Sequence, residues 1–455
     1  MSMKKHKWNF IKKLSCVSLS IISLSIYSSG YAETLRDALE KAVQSNPKIL
    51  AAEQNRLSID QIVNQAKANY YPQVKATAAW GPEWSRNSNT IASVLAGGPA
   101  AVTMPVRQVG LTLDQMVFDG YATKGEVARN RARANSAAYS VLTTVQDTAM
   151  SAVEAYFDVL REQELVELAR KNLSDYIHGM HSIQLRSQEG VGNNADLIQA
   201  QGQIALAESN LLAERSNLQD AMARYRLVVG DFPEKLRHPV PIPRFAIPSS
   251  EISALDFAVK HNPNIKASEA DIQMAYEQKQ VAKAKNWPRL DLQAGLDRNR
   301  NVGGTRGPDF DEFIFARVTY DIFTGGSITG RQRETAHELQ QAHEIRNNAY
   351  RQVLQQTKFA WDSLITAQKL LPFLNRHVEA AESTGISYGK QFEIGKRNLL
   401  DVLNVRTEYF AAGRAKIEGK YKILLSQYQL LHAMGNLVQV LQLPIPAETS
   451  QYHLS

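Results

Sequence analysis

Cysteine is almost missing from this chain. Of 455 residues only Cys16 is one, and it stands before an apolar run instead of ending it. Neither a disulfide framework nor a lipid-attachment cysteine is therefore expected. Long apolar runs are scarce too. Beyond residue 32 no stretch is apolar enough to cross a bilayer as a helix. If the chain enters a membrane, it must do so as a closed sheet. Catalytic signatures are the third absence. There is no nucleophile elbow, zinc signature or dinucleotide fingerprint, and Gly303-Gly-Thr-Arg-Gly307 lacks the Lys-Ser/Thr of a phosphate loop. That segment reads as a hairpin tip. His178 and His181, three apart, are too few ligands for a metal site. No catalytic residue, metal or cofactor is expected, and the chain does not read as an enzyme.

The surplus of positive charge weakens on inspection. Lys4, Lys5, Lys7, Lys12 and Lys13 form a basic start, followed by an apolar run from Leu14 to Ile26 and the small-residue site Gly30-Tyr-Ala32. These are the three parts of a secretory signal peptide, expected over residues 1–32. A membrane anchor fits less well, because the run is short and broken by serines. Removing the segment takes five lysines and no acid, so the net charge of +7 falls to +2. A nucleic-acid partner then has no electrostatic basis.

What is present is a change of period that happens twice. Up to Tyr71 the chain has helical character; after Pro72, residues Val74, Ala76, Ala78 and Trp80 alternate with Gln73, Lys75 and Thr77. Proline disfavours helical geometry in the residue before it, and a period of two marks a strand with unlike faces. Pro288 repeats the event, leading into Leu290, Leu292, Ala294 and Leu296. Sliding residues 37–78 by 216 places matches 14 of 42 positions, including the Asn46-Pro47 and Asn262-Pro263 pairs. Further on, the offset becomes 205 and joins Phe118 to Phe323, Gly120 to Gly325, Gly190 to Gly395, Asp196 to Asp401 and Gly230 to Gly435. Eleven extra residues therefore lie between Ala79 and Thr112, as a longer hairpin loop.

The expected organisation is a first repeat over 33–231, with strands at about 73–81 and 107–117, and a Pro-rich connector over 232–250. A second repeat over 251–437 carries strands at about 289–297 and 313–322, and 438–455 form a C-terminal tail. Each repeat contains one very long helical pattern, near 123–188 and 327–392. At ~1.5 Å per residue the first spans roughly 100 Å. Shorter helices before and after it are long enough together to lie alongside. Four strands cannot close a barrel, since the smallest membrane barrels have about 8, so several copies must share one sheet.

The duplicated helix–strand–strand–helix order, the turns Phe118-Asp-Gly120 and Phe323-Thr-Gly-Gly326, and the tips Gly190…Asp196 and Gly395…Asp401-Val-Leu403 resemble TolC-type outer-membrane channel proteins from Leu35 to Leu437. The likeness is greatest to the non-lipidated secretion branch. It implies a mostly α fold with β strands: a homotrimer with a 12-stranded outer-membrane β-barrel on a long periplasmic α-helical barrel. It implies an exit duct for proteins or small molecules, working with a periplasmic adaptor (membrane fusion) protein and an inner-membrane ABC or RND-type transporter. Gating residues carried over by the resemblance are Asp196, Arg397 and Asp401, with Gly190, Gly192 and Gly395 at the adaptor-contacting tips. Phe392 stands where the TolC type often has a hydrogen-bonding Tyr, and Asn404 where a second acidic ring can occur.

Each gate residue also has an ordinary reading. Asp196 and Arg397 suit a charge-assisted pair between tips, or equally an acid near a helix start and a solvated base. Asp401, repeated around a pore, makes an anionic ring, or else a favourable acid in a first helical turn. Tyr70, Tyr71, Trp80, Trp287 and Tyr320 sit near strand ends, where aromatic girdles belong. The competing function is a periplasmic coiled-coil adaptor or scaffold that never enters lipid; two-faced strands in both repeats speak against it.

Overall fold

In the computed structural model, residues 32–188, 194–238, 242 and 246–453 are described. The expected signal segment lies outside them, apart from Ala32. Each repeat delivers four helices of the same length as its counterpart. Helix α1 (Leu35–Ser45) and α6 (Glu251–His261) have 11 residues each, while α2 (Pro47–Ala68) and α7 (Pro263–Ala284) have 22. The long helices α4 (Ala122–Gln188) and α8 (Ser327–Glu393) have 67 each, and α5 (Asn194–Val229) and α9 (Leu399–Met434) have 36. Helix α8 runs on through Pro372. α4 packs on α2 and α5 along its length, and also on α7 and α9 of the second repeat.

Strands β1 (Gln73–Ser85), β2 (Val102–Phe118), β3 (Arg289–Arg300) and β4 (Pro308–Thr319) form one antiparallel meander in the order β1-β2-β3-β4. The first two run longer than the expected 73–81 and 107–117. Pairing continues past Gly81 because Pro82 faces Pro105 beyond Arg107, the last residue of β2 that pairs with β3. Neither proline then interrupts a shared ladder. The strand expected at 313–322 instead covers 308–319. Its partner begins at Arg289, just after Pro288, so pairing runs out at Thr319. At the other end, left-handed residues Asn301, Gly303, Gly304 and Gly307 turn the chain tightly enough for Pro308 to pair with Arg300. The extra residues of the first hairpin include a short helix, α3 (Ser88–Ser93), capped by Asn87.

The main core lies midway along the coils, where α1 and a last short helix, α10 (Leu437–Val440), pack on α4, α5 and α9. Tyr156 is fully buried there. Its hydroxyl meets the carbonyls of Glu33 (2.9 Å) and Arg237 (2.5 Å), fastening the segment before α1 to the connector. Burial raises the Tyr156 phenol well above its ordinary range. The tail is not loose. Asn135 bonds both the carbonyl (2.9 Å) and the amide (2.6 Å) of Tyr452, and the Tyr452 hydroxyl reaches Asp60 (2.9 Å). The tail thus ties back onto α2 and α4 of the first repeat.

The Asn-Pro pairs explain how the repeats hold their shape. Asn46 and Asn262 are both buried N-caps with proline at the first helical position. Each side-chain oxygen accepts from the amide two residues on, at 3.0 and 2.9 Å. Each side-chain amide donates to the last turn of another helix: Asn46 to Val228 at 3.1 Å, Asn262 to Ala433 at 2.9 Å. The glycines beyond those turns, Gly230 and Gly435, have φ of 101° and 79°. One asparagine therefore starts one helix and ties down the end of another, in both repeats.

Two measurements test these readings. Asn262→Ala should cost about 1–2 kcal/mol, read as a lower melting temperature of the helical circular-dichroism signal. Asn262→Asp keeps the cap acceptor but sets a carboxylate against the Ala433 carbonyl, so it should melt lower still. The opposite order would sink the tie to α9. The paired turns should differ as well. A Cβ on Gly120 (φ 67°) would sit 2.5 Å from the Ala284 carbonyl oxygen, whereas one on Gly325 (φ 61°) meets nothing within 4 Å. Gly325→Ala should cost about 1 kcal/mol and Gly120→Ala distinctly more in the same melt.

Candidate functional site

The register sorts side chains onto two unlike faces. Rows on one face read Val74–Leu113–Ala294–Ile314, Ala76–Leu111–Leu296 and Trp80–Arg107–Arg300. The other face carries Lys75–Thr112–Gly295–Phe313 and Thr77–Gly110–Asp297–Asp311. On the first face Trp80 is 81% exposed and Ile314 77%, so it is not a core surface of this chain. In β3 the exposed residues Leu292, Leu296, Arg298 and Arg300 lie on that face; opposite them only Arg289, at the strand's start, is exposed, while Asp291, Gln293, Gly295, Asp297 and Asn299 are less so. That is the pattern of a sheet bent with its apolar face convex. An apolar exterior and a polar interior is what a membrane barrel requires.

Aromatic residues mark both ends of the apolar band. Near the helices stand the exposed Tyr70, Tyr71, Tyr121, Trp287 and Tyr320; at the far end stand Trp80, Trp84 and Phe310. Trp84, Phe310 and Tyr121 escaped the sequence reading. Trp84 lies past Gly81-Pro82, where the alternation is hard to follow without the pairing partner.

At the opposite end of the molecule the tip of the second coil is closely specified. After α8, Gly395 takes a left-handed φ of 73°; its amide bonds the Phe392 carbonyl (3.0 Å) and the Lys396 amide bonds that of Gln391 (2.8 Å). These two bonds are a Schellman closure, which needs glycine at that place. Asn398 then caps α9 by accepting from the Asp401 amide at 2.8 Å. Between the two caps, Arg397 donates to Asp401 Oδ2 (3.1 Å) and Gln391 Oε1 (3.1 Å), and its guanidinium lies 4.0 Å from the Tyr388 ring centroid.

Arg397 is thus engaged by residues of its own tip. Asp196 sits in the first turn of α5, and among the described residues no ion pair joins it to Arg397. Gly190 and Gly192 lie outside the described residues. Phe392 packs with Leu173, Met180 and Leu197 against a small core of Tyr176, Ala200, Leu399 and Leu403, which joins the tips of both repeats. Tyr176 Oη and Thr407 Oγ1, 3.2 Å apart, and the Arg406 guanidinium on the Asp175 carbonyl reinforce that join. Tyr388, Gln391 and Asn398 were missed in the sequence. The available signal was Tyr388 one helical turn before Phe392, and Asn398 three residues before an acid.

Comparison with known proteins bears on both ends of the molecule. Residues 38–231 and 254–436 match the family model described as outer membrane efflux protein. The chain is 27% identical over 410 residues to outer membrane efflux protein BepC of Brucella suis biovar 1, covering 90% of this chain and 87% of that one. It is 23% identical over 437 residues to outer membrane protein TolC of Vibrio cholerae, covering 94% and 96%. Among solved structures, the outer membrane protein VceC of Vibrio cholerae superposes with a TM-score of 0.75 at 18% identity, covering 88% of this chain and 96% of that one. A scaffold that stays out of lipid is ruled out by this kinship, and the family is one of transport channels, not an enzyme class. The chain belongs to the outer membrane efflux protein family and is an exit duct of the outer membrane.

Proposed function

We propose that three copies close their four-stranded sheets into one 12-stranded barrel, continuous with a helical tunnel in the periplasm. The observation that carries this is the pair of free outer edges, on β1 and β4, of a sheet whose apolar face is exposed. In lipid each unsatisfied backbone group costs several kcal/mol, and pairing β1 of one copy with β4 of the next removes every edge. A periplasmic adaptor docks at the tips around Gly395 and the segment with Gly190 and Gly192, and an inner-membrane transporter of ABC or RND type supplies cargo and energy. The water-filled passage itself performs no bond chemistry.

The tip forms the gate of this duct. Arg397, clamped by Tyr388, Gln391 and Asp401, holds the turn in one shape, with Phe392 packed beneath it; Asp196 of the neighbouring coil adds negative charge nearby. Asp401, repeated in three copies, gives the closed end an anionic lining that attracts cations.

Detergent-solubilised protein should have the native mass of three chains; a stable monomer would overturn the barrel. In planar bilayers, Arg397→Ala should raise the open fraction. The Arg397 and Asp401 side chains are 36% and 33% exposed. A pair that accessible is worth about 0.5–1 kcal/mol, which shifts a two-state gate about two- to fivefold. Unchanged conductance would remove Arg397 from the gate. Asp401→Asn should weaken block by a trivalent cation added from the tip side.

A further inference from the structure

The sheet carries three arginines where a lipid-facing surface should have none. Arg107, Arg298 and Arg300 all lie on the apolar face, and all three are exposed. In register, Arg107 stands directly opposite Arg300, and Arg298 lies opposite Val109, two residues back along β3. Like charges facing each other across an antiparallel pair destabilise the sheet. A protein usually relieves that with an acid. Here, among the described residues, none of the three guanidiniums has a carboxylate within 4.0 Å; the acid on that face, Glu312, lies opposite Leu296 one row inward and pairs with none of them.

Their height on the sheet is equally specific. Moving away from the helices, β3 places Leu290, Leu292, Ala294 and Leu296 on the apolar face before Arg298 and Arg300. An apolar band of that length approaches the 9–11 residues of a tilted membrane strand. The arginines begin where it ends. They share that level with Trp80, which is opposite Arg107, with Trp84 beyond it, and with Phe310, whose ring lies 5.7 Å from the Arg298 guanidinium. Tryptophan and its aromatic relatives belong at the headgroup level. β2 and β3 are the inner strands of the sheet, so a neighbour that pairs with β1 or β4 leaves the three arginines uncovered.

We propose that Arg107, Arg298 and Arg300 form a binding site on the outer wall of the barrel for the phosphate groups of a lipid headgroup in the outer leaflet, namely a phosphorylated glycolipid such as lipid A. Guanidinium presents a planar fork that matches phosphate oxygens two at a time. A dianionic headgroup between β2 and β3 converts the facing Arg107–Arg300 pair from a repulsive contact into a shared clamp. The acyl chains below lie along Val109, Leu111 and Leu296 on the same face. The site rests on the barrel reading, because the apolar face must meet lipid for a lipid to reach it. Its role is to anchor the duct at a fixed depth in the outer leaflet.

The test uses the full-length protein purified in a phosphate-free detergent, with diphosphoryl lipid A as the probe and Trp80 and Trp84 fluorescence or native mass as the readout. Binding should weaken at least tenfold in Arg107→Gln/Arg298→Gln/Arg300→Gln, and by a similar factor when the wild type meets dephosphorylated lipid A. A control, Lys75→Gln/Arg317→Gln, removes two cations from the opposite face and should leave binding unchanged. If the triple variant fails to assemble, Arg300→Gln alone should show a several-fold loss. Equal affinity of wild type and variant, equal affinity for the dephosphorylated lipid, or full displacement by millimolar inorganic phosphate would each overturn the site. Outer-membrane fractionation and trimer mass, followed in parallel, separate the two readings: a variant that inserts and trimerises yet binds lipid A normally defeats the site alone, whereas a wild type that does neither defeats the barrel.

Discussion

The outer edges of β1 and β4 carry rows of backbone amides and carbonyls that water satisfies in solution and that hydrocarbon cannot. An exposed apolar face forces the sheet toward lipid, and the edges forbid it from going alone. Sharing the ladder with further copies resolves both demands at once. The rest of the molecule is arranged around that need. Each hairpin is delivered by a helix that stops one turn before a proline, and each is received by a turn built on a left-handed glycine, Gly120 or Gly325. The sheet is therefore held at the end of a stiff helical support instead of on flexible loops.

Below the sheet, the coils are stabilised mainly at mid-length. There Tyr156, Phe157, Tyr225 and Tyr428 cluster with Leu430, Leu431 and Leu437, and the two asparagine caps tie helix ends across the fold. Toward the tips the core narrows to Tyr176, Leu399, Leu403 and their neighbours. This gradient puts rigidity in the middle and leaves the tip dependent on a few polar contacts around Arg397. The proposed gate lies where cohesion is least.

Much of this could be read from the residues alone. The period change at Pro72 and Pro288 is a local backbone effect, visible without any partner. The Asn-Pro pairs and the long helical patterns near 123–188 and 327–392 follow from local signals too. Strand ends were less legible, because register decides them: Trp84 is in β1 only because Thr103 faces it, and Thr319 ends β4 only because β3 starts at Arg289. The same limit applies to the tip. Resemblance named Arg397 and Asp401 as gate residues and offered Asp196 as the partner of Arg397, but the contact seen between Arg397 and Asp401 follows from the cap at the start of α9, and the stacking of Tyr388 follows from a reversal at Gly395 that folds the end of α8 back beside it. The second role of Asn262, donating to Ala433, spans 171 residues; no local pattern encodes such a bond.

The equality of paired helix lengths restricts how such a duct can change in evolution. Because α4 matches α8 and α5 matches α9 residue for residue, both coils end at the same level. A seven-residue insertion in α4 alone would push one tip about 10 Å past the other, at ~1.5 Å per residue, and pull Tyr176 away from Leu399 and Thr407. Lengthening the pipe to suit a wider periplasm therefore takes four coordinated insertions, one in each long helix, and lineages of this fold should differ in length by matched increments or not at all.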